Sequence, residues 1–198
     1  MPAALNRVTA TDILPTAQFA AERTQRRAAL LPRKQLRRIA VGPDCTFYFE
    51  CFDTMLFQIQ EMLHIEKGGA GQIEDELRAY NPLIPQGEEL VATIMFEIDE
   101  PLRRERVLAK LGGVEDTFFL RIGAEKLFGQ HESDTERTRE DGKASSVHFA
   151  HFHLTEAQRK AFADPAIEVF AGVGHPDYAH MALLSPAARM ELRNDFSA

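Results

Sequence analysis

The densest run of side chains able to do chemistry is Glu50-Cys51-Phe52-Asp53-Thr54, followed directly by MLFQIQEMLHIE. Asp53-Thr54 offers an N-cap, so the second string reads as a helix from Met55 to about Glu66. At 100° per residue, Met55, Leu56, Ile59, Met62 and Leu63 share one apolar face. Glu66 falls within that stripe at the last turn, while Gln60, Glu61 and His64 lie opposite with Phe57 among them. Glutamines, glutamates and a capping aspartate on adjoining turns can hold a metal or a polar ligand. They can equally bind this helix to a neighbouring one by hydrogen bonds. A polar face carrying an apolar ring points to contact with another element or a partner.

Two histidine patterns invite a metal reading. Glu61-Met62-Leu63-His64 puts a carboxylate beside an imidazole, as in di-iron bundles, but those need the motif twice plus two more glutamates. No second copy occurs. His148-Phe-Ala-His151-Phe-His153 gathers three of the seven histidines. On a strand, His151 and His153 point to one side about 7 Å apart and His148 to the other. His-x-His supplies two metal ligands, with a carboxylate expected from elsewhere; otherwise the pair faces solvent on an outer strand, with His148 partly buried near Phe152. A divalent metal at His151 and His153 is the one cofactor the sequence suggests.

Nucleotide and nucleophile signatures are missing: no Gly-x-Gly-x-x-Gly, Walker loop, Cys-x-x-Cys or Gly-x-Ser-x-Gly occurs. Gly68-Gly69-Ala70-Gly71 follows a helix and so makes a poor phosphate cradle. The two cysteines, Cys45 and Cys51, would stand roughly 20 Å apart in one strand, too far to bridge, and read as buried thiols. Carboxylates beside Cys51 argue against a nucleophilic thiolate.

These residues need a scaffold, and turn signals supply its outline. Pro15 to about Gln35 reads as one helix, interrupted or kinked near Pro32. Arg38–Val41 and Thr46–Phe52 form a hairpin about Gly42-Pro43-Asp44. After the central helix come a short helix from Gln72 to Tyr80, a strand over Glu89–Ile98, and a helix from Pro101 to about Leu111. A hairpin follows over Thr117–Ile122 and Lys126–Gln130. Val147–Leu154, Ile167–Val173 and Ala179–Leu184 read as strands, Thr155–Phe162 and Pro186–Phe196 as helices. Residues 131–146 (HESDTERTREDGKASS) nearly lack apolar side chains and are expected to form a mobile loop within the domain. The expectation is a single α+β domain spanning 1–198, with a mainly antiparallel sheet of about six or more strands, flanking helices and a basic N-terminal helix.

Composition narrows the function classes. The chain has 198 residues, 44% hydrophobic and 27% charged, which excludes disordered, collagen-like and coiled-coil classes. No apolar run approaches the roughly 20 residues of a membrane helix, and no secretory leader is apparent, so a cytoplasmic protein is expected. The net charge of −7 divides sharply: residues 1–40 carry eight Lys/Arg against two acids, leaving −13 for the remainder. This reads as a basic helix docked on its own acidic body. Binding of nucleic acid through residues 23–38 is a further alternative, disfavoured because aromatics are scarce there and the body repels phosphate.

The strings FECFDTMLFQIQEMLHIEK, IEDELRAYNPLIP, SSVHF and GHPDY resemble, from about Asp12 to Leu192, a bacterial family catalogued only as a domain of unknown function. Members of that family are encoded beside rubrerythrin and a cysteine-rich iron–sulfur oxidoreductase. The resemblance therefore implies a place in peroxide detoxification or related electron transfer, with one of those proteins as partner. In the family pattern the position of His64 is usually basic and the His151/His153 pair is not general. That shifts weight to Glu50, Asp53, Gln58, Gln60, Glu61 and Asn81, which with His148 form the expected ligand or partner surface. The leading expectation is an accessory protein without its own redox centre, recognising its partner through Met55–Glu66 and AYNPLIP; self-association into a homo-oligomer is compatible with it. The alternative is a metal- or carboxylate-dependent enzyme, which requires Glu50, Asp53, Glu61 and His148 to converge in one pocket.

Overall fold

Alternation of side chains along the strands sets the layers. In the computed structural model, which describes residues 6–131 and 144–197, the strands divide into two antiparallel sheets packed face to face. The first sheet holds β1 (Arg38–Val41), β2 (Cys45–Phe49), β3 (Glu89–Phe96), β7 (Val147–His153) and β6 (Gln130–His131), in the spatial order β1-β2-β3-β7-β6. The second holds β4 (Phe118–Ile122), β5 (Glu125–Phe128), β8 (Val169–His175) and β9 (Tyr178–Leu183), ordered β5-β4-β8-β9. Phe47 and Phe49 of β2, Ile94 of β3 and Phe152 of β7 point from the first sheet into the core, where they meet Phe118, Leu120 and Val173 of the second. The opposite face of the first sheet is covered by α2 (Phe52–Glu66) and α3 (Ala70–Tyr80), with the 3-10 turn Asn81–Leu83, and α1 (Thr16–Leu36) packs on the outside of α2 through Phe19. There Val91 of β3 packs with Met55, Ile59 and Leu63 of α2 and with Leu83 and Ile84.

The remaining helices are α4 (Pro101–Leu108), α5 (Glu156–Ala163) and α6 (Pro186–Leu192). Pro opens α4 and α6, where a missing N–H costs nothing, and Thr155 and Ser185 cap α5 and α6. The α+β expectation holds, with the strands shared between two sheets. Both cysteines are free and buried.

Several local readings need correction. The strand of the first hairpin stops at Phe49, and the residue before α2 is Cys51, in extended backbone, so the helix starts at Phe52 and not Met55. Thr54 receives the Cys51 N–H at 2.9 Å, filling the helix-end role expected of Asp53-Thr54 as the cap. Helix α1 continues through Pro32 to Leu36, and α3 begins at Ala70. β6 leaves the β4–β5 hairpin and joins the other sheet, pairing His131 with Ala150. Strand β7 is therefore flanked on both sides and is not an outer strand. The expected mobile loop over 131–146 falls mostly on residues 132–143, outside the described residues. At its far end Ala144 is buried in the core.

The charge division corresponds to a docked helix. Arg23 of α1 makes a bidentate pair with Glu61, both distances 2.7 Å, and Arg33 pairs with Asp53 and Glu191. Just past the helix, Arg37 is 3% exposed and reaches Glu191, Asp195 and the Glu50 carbonyl.

Candidate functional site

The helix-covered face of the first sheet carries both concentrations of polar chemistry. Side chains alternate with period two, so Thr46, Tyr48 and then Glu50 emerge on this face between the core residues Phe47 and Phe49. Glu89, Val91, Thr93 and Met95 of β3, and Val147, Phe149, His151 and His153 of β7, share it through the β3–β7 register. Val91, beneath Leu83 and Ile84, separates a pocket at the Glu50 end from a cluster at the Glu89 end.

The pocket encloses about 430 Å³. Its floor is Glu50, Thr93 and Met95, its walls are Thr54, Met55 and Gln58 of α2 with Tyr80 and Leu83, and Lys34 and Arg37 border it from the end of α1. Phe149, Tyr48 and Val147 complete the apolar side. Glu50 sits where the chain leaves β2 but is still tied to β3, its N–H donating to the Val91 carbonyl at 2.8 Å. Thr93 Oγ1 donates to Glu50 Oε1 and Thr54 Oγ1 to Oε2, each at 2.7 Å. Burial pushes the Glu50 carboxyl above the ordinary range, against the pull of the two threonine hydroxyls and of Lys34 and Arg37. A buried carboxyl held by two hydroxyls, facing a half-apolar cavity with cations at its border, can bind a small polar ligand or hold a proton there. Nearby, burial and a hydrogen bond to Glu97 push Tyr48 up to about 12.

A second, larger groove of about 650 Å³ runs between α1 and α2. Phe19, Leu30, Leu56 and Phe57 give it apolar walls, and Arg26, Arg33, Asp53 and Glu191 charge its rim. It is more open than the Glu50 pocket and contains no buried titratable side chain, so it suits a partner's surface better than a small molecule.

The structure separates the residues expected from sequence. Glu50 and Gln58 line the inner pocket; Asp53 and Gln60 line the outer groove. Gln60 is 4% exposed and accepts the Leu14 N–H at 2.9 Å, so it is buried against the lead-in to α1 and not on an open polar face. Glu61 is engaged by Arg23, whose guanidinium holds the carboxyl below its usual range against the opposing effect of burial. Asn81 holds Val8 through both backbone groups, at 2.8 and 3.0 Å. His148 lies on the opposite face of the sheet among Phe96 and Phe118, its Nε2 2.8 Å from the Ser145 carbonyl. Glu50, Asp53, Glu61 and His148 do not converge, because strand alternation sends Glu50 and His148 to opposite faces and α1 engages the other two. The enzyme reading built on those four loses its geometric basis.

Burial raises the Cys51 thiol above its ordinary range more strongly than Arg37 lowers it, and burial raises Cys45 as well, which disfavours the thiolate at both positions.

At the other end of the face, His151 and His153 are joined by Glu89, the carboxylate that the His-x-His pattern lacked. His151 Nδ1 lies 3.0 Å and His153 Nδ1 3.4 Å from Glu89 Oε2. One ligand atom from each residue falls within 4.8 Å of the others, making this a geometric candidate for a metal. Sequence reasoning missed Glu89, Lys34 and Thr93, while Tyr80 lay within the AYNPLIP segment it had singled out. An acid opening an otherwise apolar strand was the available signal for Glu89, and Thr93 is the only hydroxyl within β3.

Comparison with known proteins agrees with the fold and leaves the chemistry open. A family model described as "Protein of unknown function (DUF3501)" matches residues 7–196. A crystal structure described as a novel protein of unknown function from Burkholderia pseudomallei K96243 is similar, with 33% identity, a TM-score of 0.87, and coverage of 96% of this chain and 99% of that one. No curated protein matches the sequence.

Proposed function

The chain belongs to the DUF3501 family, and from that premise we propose that it is an accessory protein of a rubrerythrin-linked oxidative-stress or electron-transfer module. Its working surface is the Glu50 pocket together with the α1–α2 groove beside it. The module itself rests on the family resemblance of the motif strings; the surface rests on one observation. Three of those strings, distant in sequence, meet around a single cavity: FECFDTMLFQIQ supplies Glu50, Thr54 and Gln58, AYNPLIP supplies Tyr80 and Leu83, and SSVHF supplies Val147 and Phe149. Packing alone does not require a buried carboxylate, two hydroxyls and an amide at such a meeting point, since apolar residues would fill it at lower desolvation cost. The partner is an iron–sulfur oxidoreductase or rubrerythrin, docked on the charged rim of the groove.

The test is co-purification of the untagged chain with each of these proteins at micromolar concentration and low salt. A complex that is weakened by A29E, which places a carboxylate in the groove without disturbing the core, supports the reading. Absence of any complex, or a complex indifferent to A29E and E50Q alike, contradicts it.

A further inference from the structure

Glu89, His151 and His153 lie at the end of the sheet away from the Glu50 pocket, and the proposed accessory role makes no use of them. Their placement follows from register: β3 and β7 run antiparallel with Glu89 opposite His153, and the two-residue period returns His151 to the same face. Both imidazoles turn Nδ1 toward a single oxygen, Glu89 Oε2, at 3.0 and 3.4 Å. The rings are nearly parallel, 20° apart with centroids separated by 6.1 Å. Metal–ligand bonds of 2.0–2.2 Å in a tetrahedral site place neighbouring ligand atoms about 3.3 Å apart, which both Glu89–histidine separations approach. Small rotations of His153, whose side chain is 54% exposed, bring the third separation within range.

The exposure gradient also fits an ion. The Glu89 side chain is 8% exposed and His151 18%, so the carboxylate is held in place at the base while His153 closes from solvent. Burying a carboxylate is costly, and a divalent cation between Glu89 and the two imidazoles would neutralise it while leaving coordination positions open to water on the His153 side. Two imidazoles and one carboxylate suit zinc and neighbouring first-row ions better than calcium or magnesium, which prefer all-oxygen shells.

We propose that Glu89, His151 and His153 form a solvent-open site for one divalent transition-metal ion, Zn²⁺ being the expected occupant. The full untagged chain, stripped with chelator and dialysed, is titrated with ZnCl₂ by calorimetry and with CoCl₂ by visible absorption. One equivalent of Zn²⁺ should bind, Co²⁺ should give the d–d bands of a low-coordinate histidine site, and the melting temperature should rise with added Zn²⁺. H153A and E89Q should each weaken binding at least tenfold; H153A removes an exposed ring and preserves folding. H180A removes another exposed histidine and should leave the affinity unchanged. Binding below a tenth of an equivalent, or equal affinity in wild type, H153A and E89Q, would overturn the assignment and leave a simple glutamate–histidine hydrogen-bonded cluster.

Discussion

Arg37 is the residue on which the Glu50 end of the molecule depends most. Its guanidinium is 3% exposed and donates to Glu191 at 2.9 Å, to both Asp195 oxygens at 2.7 and 2.9 Å, and to the Glu50 carbonyl at 3.1 Å. Burial works against its charge, but Asp195 and Glu191 outweigh that and leave Arg37 more basic than a free arginine. Substitution R37A strands the Asp195 carboxylate, which is 6% exposed, and leaves Glu191, 15% exposed, with Arg33 as its remaining arginine. Breaking a buried pair from one side costs about 3–5 kcal/mol. In a protein of this size each kcal/mol moves the melting temperature by about 2–4 °C, so a fall of about 6–20 °C is expected. Calorimetric melts and urea titrations of wild type, R37A and R37A/D195N measure it. Burial already holds Asp195 above the ordinary carboxylate range, and R37A removes the opposing pull. The deficit should therefore shrink as the pH falls and Asp195 takes up its proton, and D195N should recover part of it at neutral pH. A loss below about 1 kcal/mol, or one that D195N leaves unchanged, would refute this account of the junction.

Three further perturbations probe other parts of the fold. Because the folded state raises the Glu50 carboxyl, its contribution is complete below the unfolded value and is lost as the pH rises through the folded one; the stability of E50Q relative to wild type should increase across that window and then level off in pH-dependent urea melts. Tyr178 Oη donates to the Val41 carbonyl and accepts the Asp44 and Cys45 N–H groups, all at 2.9 Å, so Y178F strands three buried backbone groups and should cost about 3 kcal/mol in chemical denaturation. A Cβ at Gly172 would lie 2.3 Å from the Phe119 ring that packs over it, and G172A should lose about 1–3 kcal/mol, measured by thermal melts, unless that ring is free to move away.

What could be read from the sequence follows physical range. Elements marked by local chemistry were legible: the Gly42-Pro43-Asp44 turn, the Thr155 cap and the proline starts of α4 and α6 all act over a few residues. The division into two sheets was not, because β6 is two residues long and changes sheets immediately after a hairpin partner, a choice made by long-range pairing. Cys51 was hidden as the residue preceding α2 because its side chain has no capping preference, while Thr54 supplies the hydrogen bond from inside the helix. Gln60 and Glu61 read as a polar face because helix periodicity cannot tell solvent from a second polar helix, here α1. The site was half legible for the same reason. His-x-His carries its own spacing, but its carboxylate is 62 residues away and enters only through the β3–β7 register. Glu50 was noticed by type, whereas the threonine that holds it from β3 became visible only with the pairing of β2 and β3.

The proposal that the α1–α2 side of the molecule engages a redox partner is tested most directly by hydrogen–deuterium exchange of the chain, alone and with the iron–sulfur oxidoreductase or rubrerythrin. Added protection over residues 16–36 and 52–66 is the predicted result. Protection confined to β4, β8 and β9, on the far sheet, would contradict it.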